Sequence, residues 1–142
     1  MEKSVKHQTL ILANQLGELE TIRASLKKLI VDWGIPSSME FSLNLVLEEA
    51  FTNVVNYAFN NGREHQIELC FEIQEGNLVV TITDDGLAYD PTMIPEPDTE
   101  LEAGKRPIGG LGFFLVKKFM DEVKYRRSEN KNQLILTKKL AL

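Results

Sequence analysis

Apolar side chains fall at two distinct spacings along this chain, and the switches between them mark out its elements. Residues from about 5 to 13, with Leu10, Ile11 and Leu12 at the centre, read as a strand. From about Leu16 to Trp33 the apolar positions Leu19, Ile22, Leu26, Leu29, Ile30 and Trp33 recur every three or four residues, which predicts an amphipathic helix. Gly34-Ile35-Pro36 ends that helix, and Ser37 or Ser38 is placed to cap the next. The second helix runs from about Met39 to Phe59 on a core stripe of Leu43, Leu47, Ala50, Val54 and Ala58, and Asn60-Asn61-Gly62 stops it.

A period of two then returns. One strand places Ile67, Leu69, Phe71 and Ile73 on one face; after the turn Glu75-Gly76-Asn77 a second places Leu78, Val80, Ile82 and then Asp84 on one face. The alternation therefore aims a carboxylate at the buried side of the sheet, where an unpartnered charge is costly. Residues from about 85 to 109 show neither period and carry Pro91, Pro95, Pro97 and Pro107, the character of a functional lid. A third helix, with apolar Phe114, Leu115 and Phe119, is predicted from Gly110 to about Met120. A closing hairpin runs through Glu122–Arg127, a turn at Glu129-Asn130-Lys131-Asn132, and Gln133–Leu140. The order β-α-α-β-β-lid-α-β-β predicts an α+β fold, a two-layer sandwich with helices on one face of a mostly antiparallel (mixed) sheet. Residues 1–142 fit one domain with no internal repeat.

Composition removes several function classes. The net charge of −5 comes without a basic block, which disfavours nucleic-acid binding. The pairs Arg126-Arg127 and Lys138-Lys139 read as solvated sheet edge. Cys70 is the only cysteine, so no intrachain disulfide can form, and its place between Leu69 and Phe71 suggests a passive strand thiol. His7 and His65 read as plain strand or surface residues; two isolated histidines and one cysteine do not make the ligand set of a metal hydrolase. No stretch approaches the roughly 20 apolar residues of a membrane span. The opening Met1-Glu2-Lys3-Ser4-Val5-Lys6 lacks the apolar segment of a signal peptide, so a cytoplasmic protein is expected.

Three local patterns carry chemistry. Glu49 and Asn53, four apart on the second helix, share a face. A carboxylate and an amide oxygen so placed can hold a hydrated Mg²⁺ or orient a proton acceptor beside it, although each is also an ordinary surface residue type. Asp84-Asp85-Gly86 ends a strand: it is either an acidic turn or a buried acceptor suited to an exocyclic amino group, with Gly86 letting the backbone approach a flat ring. Gly109-Gly110-Leu111-Gly112 precedes the third helix, as a tight turn or as a set of free N–H groups able to cradle phosphate oxygens. Lys105 and Arg106 lie just upstream, either in solvent or within reach of the same phosphates.

The order and placement of these patterns together are more specific than any one. Leu47-Glu48-Glu49-Ala50-Phe51-Thr52-Asn53, then Asp84-Asp85-Gly86-Leu87-Ala88-Tyr89-Asp90-Pro91, then Gly109-Gly110-Leu111-Gly112-Phe113-Phe114-Leu115-Val116 resemble the ATPase superfamily of gyrase, the heat-shock chaperone ATPase, histidine kinases and the mismatch-repair ATPase. Within that superfamily (GHKL, with its Bergerat-type ATP-binding fold) the chain looks most like the stand-alone bacterial anti-sigma factor/serine-protein kinases, and the resemblance covers essentially its whole length. The resemblance implies that Glu49 is the general base, that Asn53 ligates Mg²⁺ and that Asp84 accepts the adenine amino group. It also implies that Gly86 borders the base and that the Gly109–Gly112 turn, Leu111 included, meets the phosphates. Ala88 departs from the second glycine common in the superfamily and narrows the adenine edge, while Asp90-Pro91 fits the stand-alone kinases.

The function so implied is ATP- and Mg²⁺-dependent phosphorylation of a serine or threonine on a small anti-sigma antagonist protein. A sigma factor is a second partner, and the resemblance leaves room for a homodimer. The alternative is a non-catalytic module whose ATP only governs partner binding. The catalytic half of a histidine kinase fits less well, because neither His7 nor His65 falls on a long dimerisation helix.

Overall fold

The computed structural model describes residues 6–59, 62–93 and 110–140, with side chains of the last segment from Phe113 onward. Five strands form one sheet in the order β1-β2-β3-β5-β4, where β1 is His7–Ala13, β2 Gln66–Gln74, β3 Asn77–Asp84, β4 Glu122–Ser128 and β5 Lys131–Lys139. All four pairings are antiparallel, so among the described residues the sheet is not mixed. Three helices accompany it: α1 (Leu19–Trp33), α2 (Glu40–Tyr57) and α3 (Gly110–Phe119), with α2 packed against both others.

The helices cover one face of the sheet. Ile67, Leu69 and Phe71 of β2, Leu78, Val80 and Ile82 of β3, and Leu134 and Leu136 of β5 join Ile22, Leu26, Leu29, Leu43, Leu47, Phe51 and Val116 in one buried core. The expected stripe of α2 is fully buried, and Asp84 completes the inward row of β3 as the alternation required. On α3 the buried positions are Phe113 and Val116, with Met120 buried just past its end, whereas Phe114, Leu115 and Phe119 are half-buried.

Helix ends follow local chemistry. Gly34 adopts a left-handed φ of 67°, and the Ile35 N–H returns to the Ile30 carbonyl at 3.0 Å, closing α1 as a glycine stop does. Neither Ser37 nor Ser38 caps α2 through its side chain. Both lie inside a 3₁₀ turn, Ser37–Met39, whose backbone already bonds Met39 N–H to the Pro36 carbonyl at 3.0 Å. A matching 3₁₀ turn, Leu16–Glu18, leads into α1.

Both hairpin turns are one or two residues tighter than expected. Glu75 and Gly76 (φ 51° and 81°) link β2 to β3, and Glu129 and Asn130 (φ 52° and 62°) link β4 to β5. Positive φ at both central residues is the turn geometry whose twist matches antiparallel strands. Consequently Lys131 and Asn132 belong to β5 rather than to a turn. Lys138 and Lys139 sit on β5, an interior strand, and Lys138 Nζ donates to the Phe119 carbonyl at 2.9 Å, so that pair is not a sheet edge. Arg126 and Arg127 do lie on an edge strand, β4.

Candidate functional site

Asn53 and Asp84 approach each other from different layers. Asn53 projects from α2 with 5% of its surface exposed, and Asp84 from the end of β3 with 4%. Both line a narrow, mostly apolar cleft whose walls are Ala50, Val54, Ala58, Pro91 and Leu134, with the Tyr89 and Tyr125 rings and Asn132. An apolar cleft holding a few converging polar groups is the usual form of a small-molecule site.

The state of each polar group follows from its neighbours. Asp84 Oδ1 accepts the Gly86 N–H at 2.8 Å and the Asn132 amide at 2.9 Å, and no bond to Oδ2 is made among the described residues. Burial raises the Asp84 pKa; the Asn132 and Gly86 hydrogen bonds oppose that rise. The Asn53 Oδ1 is buried with no hydrogen-bond partner among the described residues. Such an oxygen costs about 1–3 kcal/mol unless something satisfies it, and it is a hard donor of the type Mg²⁺ selects. The donor set therefore fits a divalent cation with nucleotide phosphates.

Glu49 stands one helical turn before Asn53 on α2, half-buried, while its neighbour Glu48 is exposed. Burial raises the Glu49 pKa and the Glu48 charge adds to the rise. A carboxylate whose pKa is raised is a stronger proton acceptor than an unshifted one.

Gly86 packs against the end of α2. A Cβ there would lie 2.3 Å from the Ala58 carbonyl oxygen at the end of α2, so the helix terminus demands the glycine. The same carbonyl accepts the Leu87 N–H at 2.7 Å, and Tyr57 stacks on Tyr89 with centroids 5.5 Å apart. The loop after β3 is thus fastened to α2 by backbone, hydrogen bond and ring. Asp90 Oδ1 accepts the Thr92 N–H at 2.9 Å and a 3₁₀ turn spans Pro91–Met93, so the first part of the expected lid is regular. The remainder of the lid, with Lys105, Arg106 and Gly109, lies outside the described residues. Gly110, Leu111 and Gly112 form the first turn of α3, where backbone N–H groups have no partner within the helix.

Asn132 is the site residue the sequence reading missed. It is 4% exposed and directly opposite Asp84 in the β3–β5 ladder. Its Oδ1 accepts from Tyr125 OH, from Arg127 Nη1 at 3.1 Å and from the Tyr89 N–H at 3.4 Å; its Nδ2 donates to Asp84 and to the Leu87 carbonyl at 2.7 Å. Arg127 also donates to the Gly86 carbonyl at 2.7 Å, so this exposed residue of the edge strand braces the site loop as well. His65 likewise is more than a surface residue: it stacks on Phe59 at 4.3 Å and its Nδ1 lies 3.2 Å from Asp85 Oδ1.

Residues 12–138 match the histidine kinase-like ATPase domain family. The chain is 33% identical over 99 residues to the serine/threonine-protein kinase BtrW of Bordetella bronchiseptica, covering 70% of each. It is 33% identical over 115 residues to the serine-protein kinase RsbW of Listeria monocytogenes, covering 74% of this chain and 73% of the other. Its fold superposes with a TM-score of 0.67 and 15% identity on a solved structure of the RsbU and RsbW domains of Rv1364c from Mycobacterium tuberculosis, covering 95% of this chain and 32% of that one. The chain belongs to the histidine kinase-like ATPase domain family, in the group that holds the RsbW and BtrW protein kinases.

Proposed function

We propose that the chain binds Mg-ATP in the Asn53–Asp84 cleft and phosphorylates a serine or threonine hydroxyl on a small antagonist protein, with exchange between that protein and a sigma factor as the regulatory output. The buried, unpartnered Asn53 Oδ1 beside Glu49 carries this reading. Asp84 holds the base through its exocyclic amino group, and Asn53 supplies an oxygen to Mg²⁺. When bound, Mg²⁺ neutralises phosphate charge as it is redistributed during transfer. The first turn of α3 offers its unpaired N–H groups to the phosphates. Glu49 takes the proton of the attacking hydroxyl. On this reading the reaction runs in the cytoplasm, where ATP is supplied.

Incubation with γ-labelled ATP, Mg²⁺ and lysate of the source cell is expected to label a small protein, and Glu49→Gln to abolish the label while ATP affinity changes little. Loss of a general base lowers transfer by about 10²- to 10⁴-fold. Labelling by Glu49→Gln at the wild-type rate would show that the carboxylate is no catalyst and favour the binding-module alternative. Asn53→Ala should act differently, weakening Mg-ATP binding itself.

A further inference from the structure

The face of the sheet that no helix covers among the described residues carries a cluster that the proposed ATP site does not use. Strand alternation sends His7 of β1 and Cys70 and Glu72 of β2 to this outer face, and the ladder places His7 directly opposite Glu72 and Thr9 opposite Cys70. The Cys70 Sγ lies 3.2 Å from His7 Nε2 and 3.6 Å from Glu72 Oε1. The three donor atoms all fall within 4.8 Å of one another. Read singly, His7 and Cys70 are isolated residues 63 apart in sequence; the register of two strands makes them neighbours.

We infer that His7, Cys70 and Glu72 form a binding site for a borderline transition-metal ion of the Zn²⁺ class, separate from the nucleotide cleft. Bond lengths of about 2.3 Å to sulfur and 2.0–2.2 Å to nitrogen or oxygen give tetrahedral edges of roughly 3.4–3.6 Å between donors. The two sulfur distances lie close to that range and the third separation is no more than 4.8 Å, so closing on an ion requires the imidazole and the carboxylate to turn toward each other about the sulfur. One imidazole, one thiol and one carboxylate select Zn²⁺, Co²⁺ or Cu²⁺ over Mg²⁺ and Ca²⁺, which prefer oxygen alone. Gln74 Nε2 donates to Glu72 Oε2 at 2.9 Å, which leaves Oε1 turned to the thiol. Glu68 adds negative charge near the sulfur. Three protein ligands leave a fourth position for water.

The Cys70 thiol donates to Glu72 Oε1 at 3.6 Å, so the sulfur carries its proton before an ion arrives. Binding forms the metal–sulfur bond, breaks S–H and releases one proton to solvent; no electron is transferred.

The test uses the full chain, reduced, without nucleotide and with excess Mg²⁺ to fill oxygen-only sites. Titration with Co²⁺ should give a thiolate-to-cobalt charge-transfer band that saturates at one ion per chain and is displaced by Zn²⁺. Cys70→Ser should abolish the band, and His7→Gln and Glu72→Gln should each weaken binding at least about tenfold, or roughly 1.4 kcal/mol. As a readout on the unmutated protein, Zn²⁺ should slow alkylation of Cys70. Absence of the band, no protection of Cys70, or equal affinity in His7→Gln and Glu72→Gln would overturn the site. These outcomes do not depend on whether the chain is a kinase.

Discussion

Asn132 and Asp84 are direct cross-strand partners, and the Asn132 amide donates to Asp84 Oδ1 at 2.9 Å. Three donors on the other side, from Tyr125, Arg127 and Tyr89, fix the amide so that its nitrogen must face the carboxylate. The carboxylate proposed to recognise the base is thus oriented by Asn132. Asn132→Ala would leave the Tyr125 hydroxyl and the Leu87 carbonyl without this partner and is expected to cost about 1–3 kcal/mol. Asn132→Asp should be worse for ATP binding, because two carboxylates would then face each other. Calorimetry and denaturant unfolding of both variants check the order.

Asp84→Asn separates stability from recognition. Burial raises the Asp84 pKa, so the folded protein holds the proton more tightly than the unfolded chain. Stability from this group is then present below the unfolded pKa and lost as pH rises through the folded one, leaving the ionised carboxylate a net cost at neutral pH. Asp84→Asn should therefore be at least as heat-stable at pH 7, with the difference shrinking in acid. Its new amide donor would face the adenine amino group but suit a guanine carbonyl. ATP affinity should fall and the ATP-to-GTP preference shrink or invert, as competitive binding would measure.

Gly86→Ala places a methyl group against the Ala58 carbonyl at a separation no real contact tolerates. Either the loop or the end of α2 must shift, at about 1–3 kcal/mol. Chemical denaturation should show that loss, together with weaker nucleotide binding. A wild-type unfolding midpoint would show that the loop moves freely.

Glu49 sets the acid limb of phosphoryl transfer under the proposed mechanism. A base works only when deprotonated, and burial followed by the Glu48 charge raises its pKa. Activity should thus begin to fall, as pH is lowered, above the range of an ordinary carboxylate. Glu48→Gln removes one raising influence while leaving the base in place, so the limb should move to lower pH with the plateau rate nearly unchanged. A pH–rate profile of both proteins decides it.

Most elements, and part of the site, were legible in the sequence because their signals are local. Period-two alternation carried Asp84 inward, and helical spacing put Glu49 and Asn53 on one face. Asn132 was hidden because its role depends on register with a residue 48 positions away. The polar run Glu129–Asn132 looked like a turn, yet positive φ at only Glu129 and Asn130 completes it, and the early start of β5 aims Asn132 at the core. The pairing of His7 with Cys70 was hidden for the same reason. The contact of Gly86 with the Ala58 carbonyl was hidden too, because no sequence spacing reveals it.

The hydrogen bond from Leu87 to the Ala58 carbonyl has a consequence for how the protein comes apart. It makes the loop after β3 the terminal cap of the helix that bears Glu49 and Asn53. Local opening of that loop frays the helix end, and fraying of the helix releases the loop. The groups proposed for base recognition and for proton transfer thus reside in one cooperative unfolding unit. The Leu87 amide and the last amides of α2 should exchange with solvent deuterium at a common rate, and a substitution that softens either wall will soften both.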